Sequence, residues 1–344
     1  MDFTSKKVLF VGDCNPNGYI YLRSQSIKRI VKKMDLIDVN EYINPSDRFQ
    51  YSLAYRFQLS IFLKKFNNTI IKKINECDYD LIWFEKPIFI FEETLQVIHQ
   101  MGIKTVSYNP DNPFGTRHDG CWGLYLKNIK YFSHHIISRR SNYKDLKGLN
   151  AKDIIYIPLC SEKRIHFKDE NIKKELEVTF IGTPYDNRLE FIDLLSRHLK
   201  TSIHVFSAEW KKFNKKIGSR SNVIINDAVY KSKYRSIINK SKIMLGFITH
   251  SNKDDLSFRN FEITACGSFL LSQRSSMQER IFRENIEAIY FNDVEDCASK
   301  IHHFLIHSDE RETIANKKCR KRYGIKNIPF SKKYPFTPIN IWEV

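Results

Sequence analysis

A chain of 344 residues exceeds a typical single domain and is long enough for two, each with a core of its own. At 42% hydrophobic, with 25 Phe, 17 Tyr and no low-complexity tract, the composition excludes a disordered protein. A formal charge of +17 favours anionic surroundings, whether nucleic acid, phosphorylated ligand or acidic lipid, but the basic residues are spread along the chain without a nucleic-acid-binding motif, so no nucleic-acid partner is expected.

The N-terminus MDFTSKKVLFVGD lacks the apolar stretch of a signal peptide, and no apolar run approaches the roughly 20 residues of a membrane span. Seven cysteines, an odd number without a CxxC pair, fit reduced thiols. The expectation is a cytoplasmic protein whose Lys and Arg allow peripheral contact with the anionic inner face of a membrane.

Taken in chain order, KVLFV at 7–11 is a β-rich run ending at Gly12, with YLRSQSIKRIVKKM helical behind it. Apolar runs follow at LIDV, DLIWF, KTVSY, HHIIS and DIIYIPL, with helix-like stretches between several of them, such as FEETLQVIHQM before Gly102. That alternation predicts a mainly parallel sheet covered by helices. The second half restarts it: strand EVTFIG, helix RLEFIDLLSRHL, strand SIHVFS, then NVIIN, YRSIINKS, KIMLGFI, helix FRNFEITAC, FLLS and AIYF. We therefore read a domain over 1–160, a polar linker over 161–175, a second domain over 176–324 and an irregular, proline-bearing tail over 325–344.

In open α/β sheets ligands collect beyond the carboxyl ends of the strands, which selects the loops to inspect. After the first strand comes GDCNPNG, which is not the GxGxxG of a dinucleotide site. Gly12 either brings backbone close to a ligand or serves an ordinary turn. After KTVSY, residues 109–120 read NPDNPFGTRHDG, where Asp111 stands at a strand end that would suit a general acid or base. Asp and Asn are also common turn residues. His118 and Asp119 are alternative proton acceptors.

After EVTFIG, Gly182 and Thr183 leave the strand, and Asp186 or Asn187 can cap the next helix. Arg188 falls in that helix's first turn, where a cation opposes the helix dipole by ~0.3–1 kcal/mol. A bound phosphate would offset this; the alternative is an exposed surface arginine. In SFRNFEITACGSFLL, residues 257–271, Ser257 is a plausible cap and Gly267 a C-terminal stop, which sets Arg259 and Glu262 three apart on one face of the helix between them. They form either an intrahelical ion pair worth ~0.2–0.5 kcal/mol or a site in which Arg259 meets diphosphate oxygens and Glu262 accepts from ribose hydroxyls. The small and aromatic neighbours favour the second. No metal site is expected: DYD at 78–80 precedes its strand, and the adjacent histidine pairs 134–135 and 302–303 diverge. GxSxG and GxxxxGK(S/T) are absent, which removes hydrolase and nucleotide-triphosphatase readings.

The ordered set VTFIGTPYDNRLEFIDLL, YRSIINKSKIMLGF, SFRNFEITACGSFLLSQR, YFNDVEDCASKIHHFL and ERETIANKKCRKR resembles the C-terminal half of the CgeB-like, spore-maturation-type glycosyltransferases, and VLFVGD with SYNPDNP is similar to their first half. The resemblance covers most of 7–323. It implies an α/β GT-B fold, two Rossmann-like domains facing each other across a cleft, with an activated-sugar donor held mainly by the C-terminal one. By that resemblance Gly182, Thr183, Arg188, Ser257 and Arg259 lie near the donor phosphates with Gly12, Tyr185 and Asp254 as further donor contacts, and Glu262 holds the ribose. Asp13, Asn109, Asn112 and His118 are the acceptor-side candidates. Asp254 and Glu262 match in spacing the Ex7E carboxylates of retaining GT-B enzymes, with Asp in place of the first Glu.

The implied activity is metal-independent sugar transfer from a nucleotide sugar, with no cofactor, to a glycan or lipid-linked acceptor of the O-antigen or capsule type. If the reaction inverts, Asp111 is the base. Phosphoribosyl diphosphate supplies the same diphosphate and pentose, so phosphoribosyl transfer is the alternative donor reading; a non-catalytic GT-B-like binding protein is the alternative class.

Overall fold

All twelve apolar runs become strands in the computed structural model, which describes residues 4–115, 120–157, 161–217 and 222–317. The tail expected over 325–344, His118 and Asp119 lie outside the described residues. The chain divides into two compact units after residue 158. No helix among the described residues is long and apolar enough to cross a membrane.

In the first unit β1 (Lys7–Gly12), β2 (Lys33–Asp38), β3 (Leu81–Glu85), β4 (Lys104–Asn109), β5 (His134–Ile137) and β6 (Ile154–Tyr156) form a parallel sheet in the order β2-β1-β3-β4-β5-β6. Its helices are α1 (Tyr19–Lys28), α2 (Arg48–Ser52), α3 (Ile61–Glu76), α4 (Glu92–Gln100), α5 (Gly123–Asn128) and α6 (Asn142–Gly148). Alternation along β1 sends Leu9 and Val11 to one face, against Leu63, Phe66 and Ile70 of α3, and Val8 and Phe10 to the other, with Trp83 and Tyr108. Because both faces are covered, the strands read as continuous apolar runs.

Two expectations shift. The helical stretch YLRSQSIKRIVKKM stops at Lys28, because the amides of Lys32 and Lys33 are drawn to the Lys6 carbonyl, which starts β2 beside β1. The longest helix, α3, was not among the helices named; it buries Leu63, Phe66, Ile70 and Ile74 at helical spacing.

In the second unit β7 (Leu176–Ile181), β8 (Ile203–Phe206), β9 (Val223–Asn226), β10 (Ser241–Gly246), β11 (Leu270–Gln273) and β12 (Ile289–Phe291) form a parallel sheet ordered β12-β11-β10-β7-β8-β9. With it pack α7 (Arg188–His198), α8 (Asn214–Ile217), α9 (Lys231–Lys240), α10 (Phe258–Ala265), α11 (Ser276–Ile281), α12 (Val294–Ile306) and α13 (Ser308–Asn316). Two apolar clusters cover its faces.

Each sheet has a point where the winding reverses. In the first unit it lies between β1 and β3; in the second it lies between β7 and β10. Loops leaving the carboxyl ends of such strands diverge and open the crevice in which doubly wound sheets bind ligands.

Candidate functional site

The second unit's reversal point is bordered by the β7–α7 and β10–α10 loops. Asp186, expected as a helix cap, instead joins them. Its backbone takes φ 53°, and its Oδ2 accepts from the His250 amide at 2.8 Å. Burial would raise its pKa, but hydrogen bonds from Ser251 and His250 outweigh that and hold the carboxyl below its usual range. Asn187 occupies the N-cap of α7 without a side-chain cap bond, and Ser257 does the same for α10. The leading amides of both helices are thus left without a capping side chain.

Each helix carries an arginine in that first turn. Arg188 is buried, donating from Nη1 to the Thr183 carbonyl (3.2 Å) and from Nη2 to Thr249 Oγ1 (2.8 Å), between the rings of Phe180 and Phe247. Its buried Nε has no hydrogen-bond partner. Burial first, and the neighbouring Arg259 cation second, push its pKa down to about 10, against the pull of Asp186 and Asp254. Two guanidinium groups held near each other at two positive helix ends repel one another and suit a polyanion. Asp254 accepts from Asn252 Nδ2 at 3.1 Å in the same loop, and Tyr185 is exposed at the mouth of the β7–α7 loop.

Arg259 and Glu262 point to different neighbours. While Arg259 bears on Arg188, the Glu262 carboxylate, only 1% exposed, accepts a hydrogen bond from Tyr234 Oη with one oxygen. Its other oxygen has no hydrogen bond and lies 3.6 Å from His166 Nε2. The His166 ring accepts the Glu162 amide at Nδ1 (3.1 Å), so in the neutral ring Nε2 carries the proton. Between the two charged residues, buried Asn260 fixes α10 through Ser272 Oγ (3.0 Å) and Gln278 Oε1. This contact is why β10 ends in glycine: a Cβ on Gly246 would lie 2.6 Å from Asn260 Oδ1 and from Ser272 Oγ.

Gly12 and Gly182 are required from within. A Cβ at Gly12 would fall 2.7 Å from Glu85 Cβ, and one at Gly182 would fall 2.6 Å from the Phe180 ring, whose Trp210 neighbour donates to the Gly182 carbonyl. At Gly12, read either as an ordinary turn or as a backbone approach to a ligand, the structure shows the backbone close against Glu85. Glu85 closes β3 at the first unit's reversal point, buried with Arg23 at 3.0 Å and Trp83 Nε1 at 2.9 Å, and the Arg23 guanidinium lies over the Tyr108 ring.

On the same edge of that unit, Asp111 meets Lys86 Nζ at 2.7 Å. Burial alone would push the Lys86 ammonium down; the Asp111 carboxylate outweighs it and leaves the pKa raised. Asn109 and Asn112 shape the loop, their Oδ1 atoms accepting from the amides of Asp111 (3.1 Å) and Phe114 (3.0 Å), and Arg139 Nη1 donates to the Pro110 carbonyl. Asp13 accepts from the Asn15 amide and from Asn40 Nδ2. Asp80 sits at the amino end of the sheet, accepting from the Lys7 amide at 2.8 Å.

Sequence reading missed Thr249, Tyr234, His166, Lys86 and the Arg23–Glu85 pair. Only Glu85 left a signal, as a carboxylate ending the apolar strand LIWFE. The others act on partners distant in the chain.

Residues 188–324, less than half of the chain, match the family model described as Glycosyl transferase-like, which begins at the buried arginine. No curated protein sequence matches the chain. Among solved structures it is similar to sucrose-phosphate synthase from Thermosynechococcus elongatus (TM-score 0.64, 10% identity, covering 92% of this chain and 93% of that one). It is also similar to Anabaena HepE in complex with UDP-glucose (0.60, 11%, 92% and 94%) and to an α,α-trehalose-phosphate synthase (UDP-forming) from Burkholderia xenovorans (0.62, 7%, 91% and 96%). The chain therefore has the GT-B fold of two Rossmann-like units, with a glycosyltransferase-like domain over residues 188–324.

Proposed function

We propose that the protein is a glycosyltransferase that takes a sugar from a nucleoside-diphosphate donor bound at the β7–β10 reversal point and passes it to a hydroxyl of a glycan or lipid-linked surface-polysaccharide acceptor. The observation that carries this reading is the pairing of buried Arg188 with Arg259 at two helix ends left without side-chain caps. Such a site binds a diphosphate in the ground state and stabilises it as it leaves, since charge grows on the leaving oxygens as the glycosidic bond breaks. That field is already cationic, so the step as we read it enlists no metal ion. Glu262, whose buried oxygen lacks a hydrogen bond, is suited to receive a donor hydroxyl, with Tyr234 and His166 setting its orientation. If the reaction inverts, Asp111 takes the acceptor proton. The CgeB-like resemblance and the UDP-glucose bound to HepE both support a nucleotide-sugar donor.

The test is a thermal-shift panel of nucleotide sugars, free nucleoside diphosphates and phosphoribosyl diphosphate, run on the wild type and on Arg188→Met. A ligand bound only by the folded state raises its melting temperature. A nucleotide sugar should stabilise the wild type, and Arg188→Met should weaken that binding at least about tenfold, the scale of one lost charged hydrogen bond. The empty variant should be as stable as the wild type, because burial and like-charge cost leave with the guanidinium. A response to phosphoribosyl diphosphate alone would redirect the reading to phosphoribosyl transfer, and no response to any member would sink it.

A further inference from the structure

At the corner between α2 and α3 the usual polarity of a turn is reversed. The chain leaves α2 through a π-helical turn, Leu53–Phe57, and bends at Gln58, which takes the left-handed conformation (φ 57°). The side chain turned inward is the amide: Gln58 Nε2 donates to the Cys121 carbonyl at 2.7 Å, and its Oε1 accepts from the Leu124 amide at 2.8 Å. Its apolar neighbours are left outside, with Phe57 65%, Leu59 72% and Ile61 65% exposed, and Phe49 of α2 74%. Ser60 between Leu59 and Ile61 is extended, so those two leave the backbone on one side. A turn pinned by these two polar contacts has no packing reason to present four large apolar groups to water, and a group of this kind marks a surface that something covers.

Charge identifies the cover. Ile61 continues along the solvent stripe of α3 into Lys64 and Lys65, and Arg48 and Arg56 flank the corner, all four exposed. No Asp or Glu occurs anywhere from residue 48 to 75. A protein interface of this apolarity would be depleted in lysine. Apolar side chains beneath a ring of Lys and Arg match the acyl boundary and the anionic headgroups of a bilayer, with the long cationic stems lying along the apolar layer.

We propose that residues 48–65 form a docking surface for an anionic lipid bilayer. The corner is braced on the backbone of residues 121–124, which carries Trp122, and Lys86, the partner of Asp111, stands 5.3 Å from the Trp122 ring. Docking therefore sets the carboxyl edge of the first unit's sheet at the membrane surface, where a lipid-linked acceptor presents its headgroup. The surface itself does not depend on the sugar-transfer reading.

The test is co-sedimentation of the full chain with vesicles of phosphatidylcholine alone and of phosphatidylcholine with phosphatidylglycerol in equal parts, at low and high salt. Binding should require phosphatidylglycerol and weaken with salt. Phe57→Ser with Leu59→Ser should reduce it at least about tenfold, and each of Lys64→Gln and Lys65→Gln about fivefold. All four side chains are exposed, so circular dichroism and melting temperature should match the wild type. Absence of sedimentation with either vesicle, or variants that bind as the wild type does, would overturn the proposal. So would concentration-dependent self-association in sedimentation velocity that disappears in the serine variant while no vesicle binds, for that would make a second copy the cover.

Discussion

Lys86 holds a backbone conformation that residues with a Cβ seldom take, φ 44°, directly after the last residue of β3. It is kept there by the hydrogen bond that its backbone N–H donates to the Tyr108 carbonyl (2.8 Å) and by the 2.7 Å contact of its ammonium with Asp111. If Asp111 is the base, Asp111→Asn should lower transfer by at least about a hundredfold while the donor-induced thermal shift stays unchanged. The pair is partly exposed, so its loss should cost stability no more than about 1 kcal/mol. Single-turnover transfer at the wild-type rate would remove Asp111 from the chemistry. Of these residues Asp111 was legible, as a carboxylate at a strand end, but the Lys86 backbone was not: a positive φ at lysine has no sequence signature. Arg188 was legible for the opposite reason, since a cation in the first turn of a helix violates a local electrostatic rule. Thr249, Tyr234 and His166 violate nothing locally.

Helix α10 shows how an element places its charges. Asn260 locks onto Ser272 and Gln278, and the bare Gly246 lets it come that close. Gly246→Ala should therefore push α10 outward, costing ~1–3 kcal/mol in urea unfolding and weakening donor binding in the same titration, because Arg259 moves with the helix. Gly148→Ala is the control: nothing lies within 4 Å of its added Cβ, and stability should hold or rise slightly. An unchanged donor affinity in Gly246→Ala would refute the link between that packing and the site. At this scale the sequence was most readable, because strands buried on both faces leave uninterrupted apolar runs. It failed where a pattern was ambiguous: VKKM prolongs a helical spacing, yet Met34 lies in β2, a strand at the sheet edge that pairs on one side only.

Across the whole molecule, buried histidines contribute to the response to acid. His135 is fully buried, with Nε2 at 3.0 Å from the Ile129 carbonyl, and burial pushes its pKa down to about 4 against the pull of that carbonyl. His166 and His204 in the second unit are lowered for the same first cause. A group whose pKa is depressed by folding contributes its stability in full above the unfolded value, here about 6.5, and loses it as pH falls toward the folded one. His135 alone should thus cost about 3 kcal/mol between about pH 6.5 and about pH 4. Urea unfolding followed across that range should show a shallower loss for His135→Gln than for the wild type. Parallel curves would contradict the assignment.

The strand order of the second unit has a further consequence for biosynthesis. One side of β7 is paired by β8, which the ribosome delivers next, but the other waits for β10, made only after β8, β9 and α9. A nascent chain halted before residue 241 leaves a row of unsatisfied amides and carbonyls along a Val- and Phe-bearing edge, an invitation to pair with a neighbouring polypeptide. The seam at which the winding reverses is thus also the last hydrogen-bonded junction to close around β7, so the speed of translation from β7 to β10 governs how long each newborn molecule stays vulnerable.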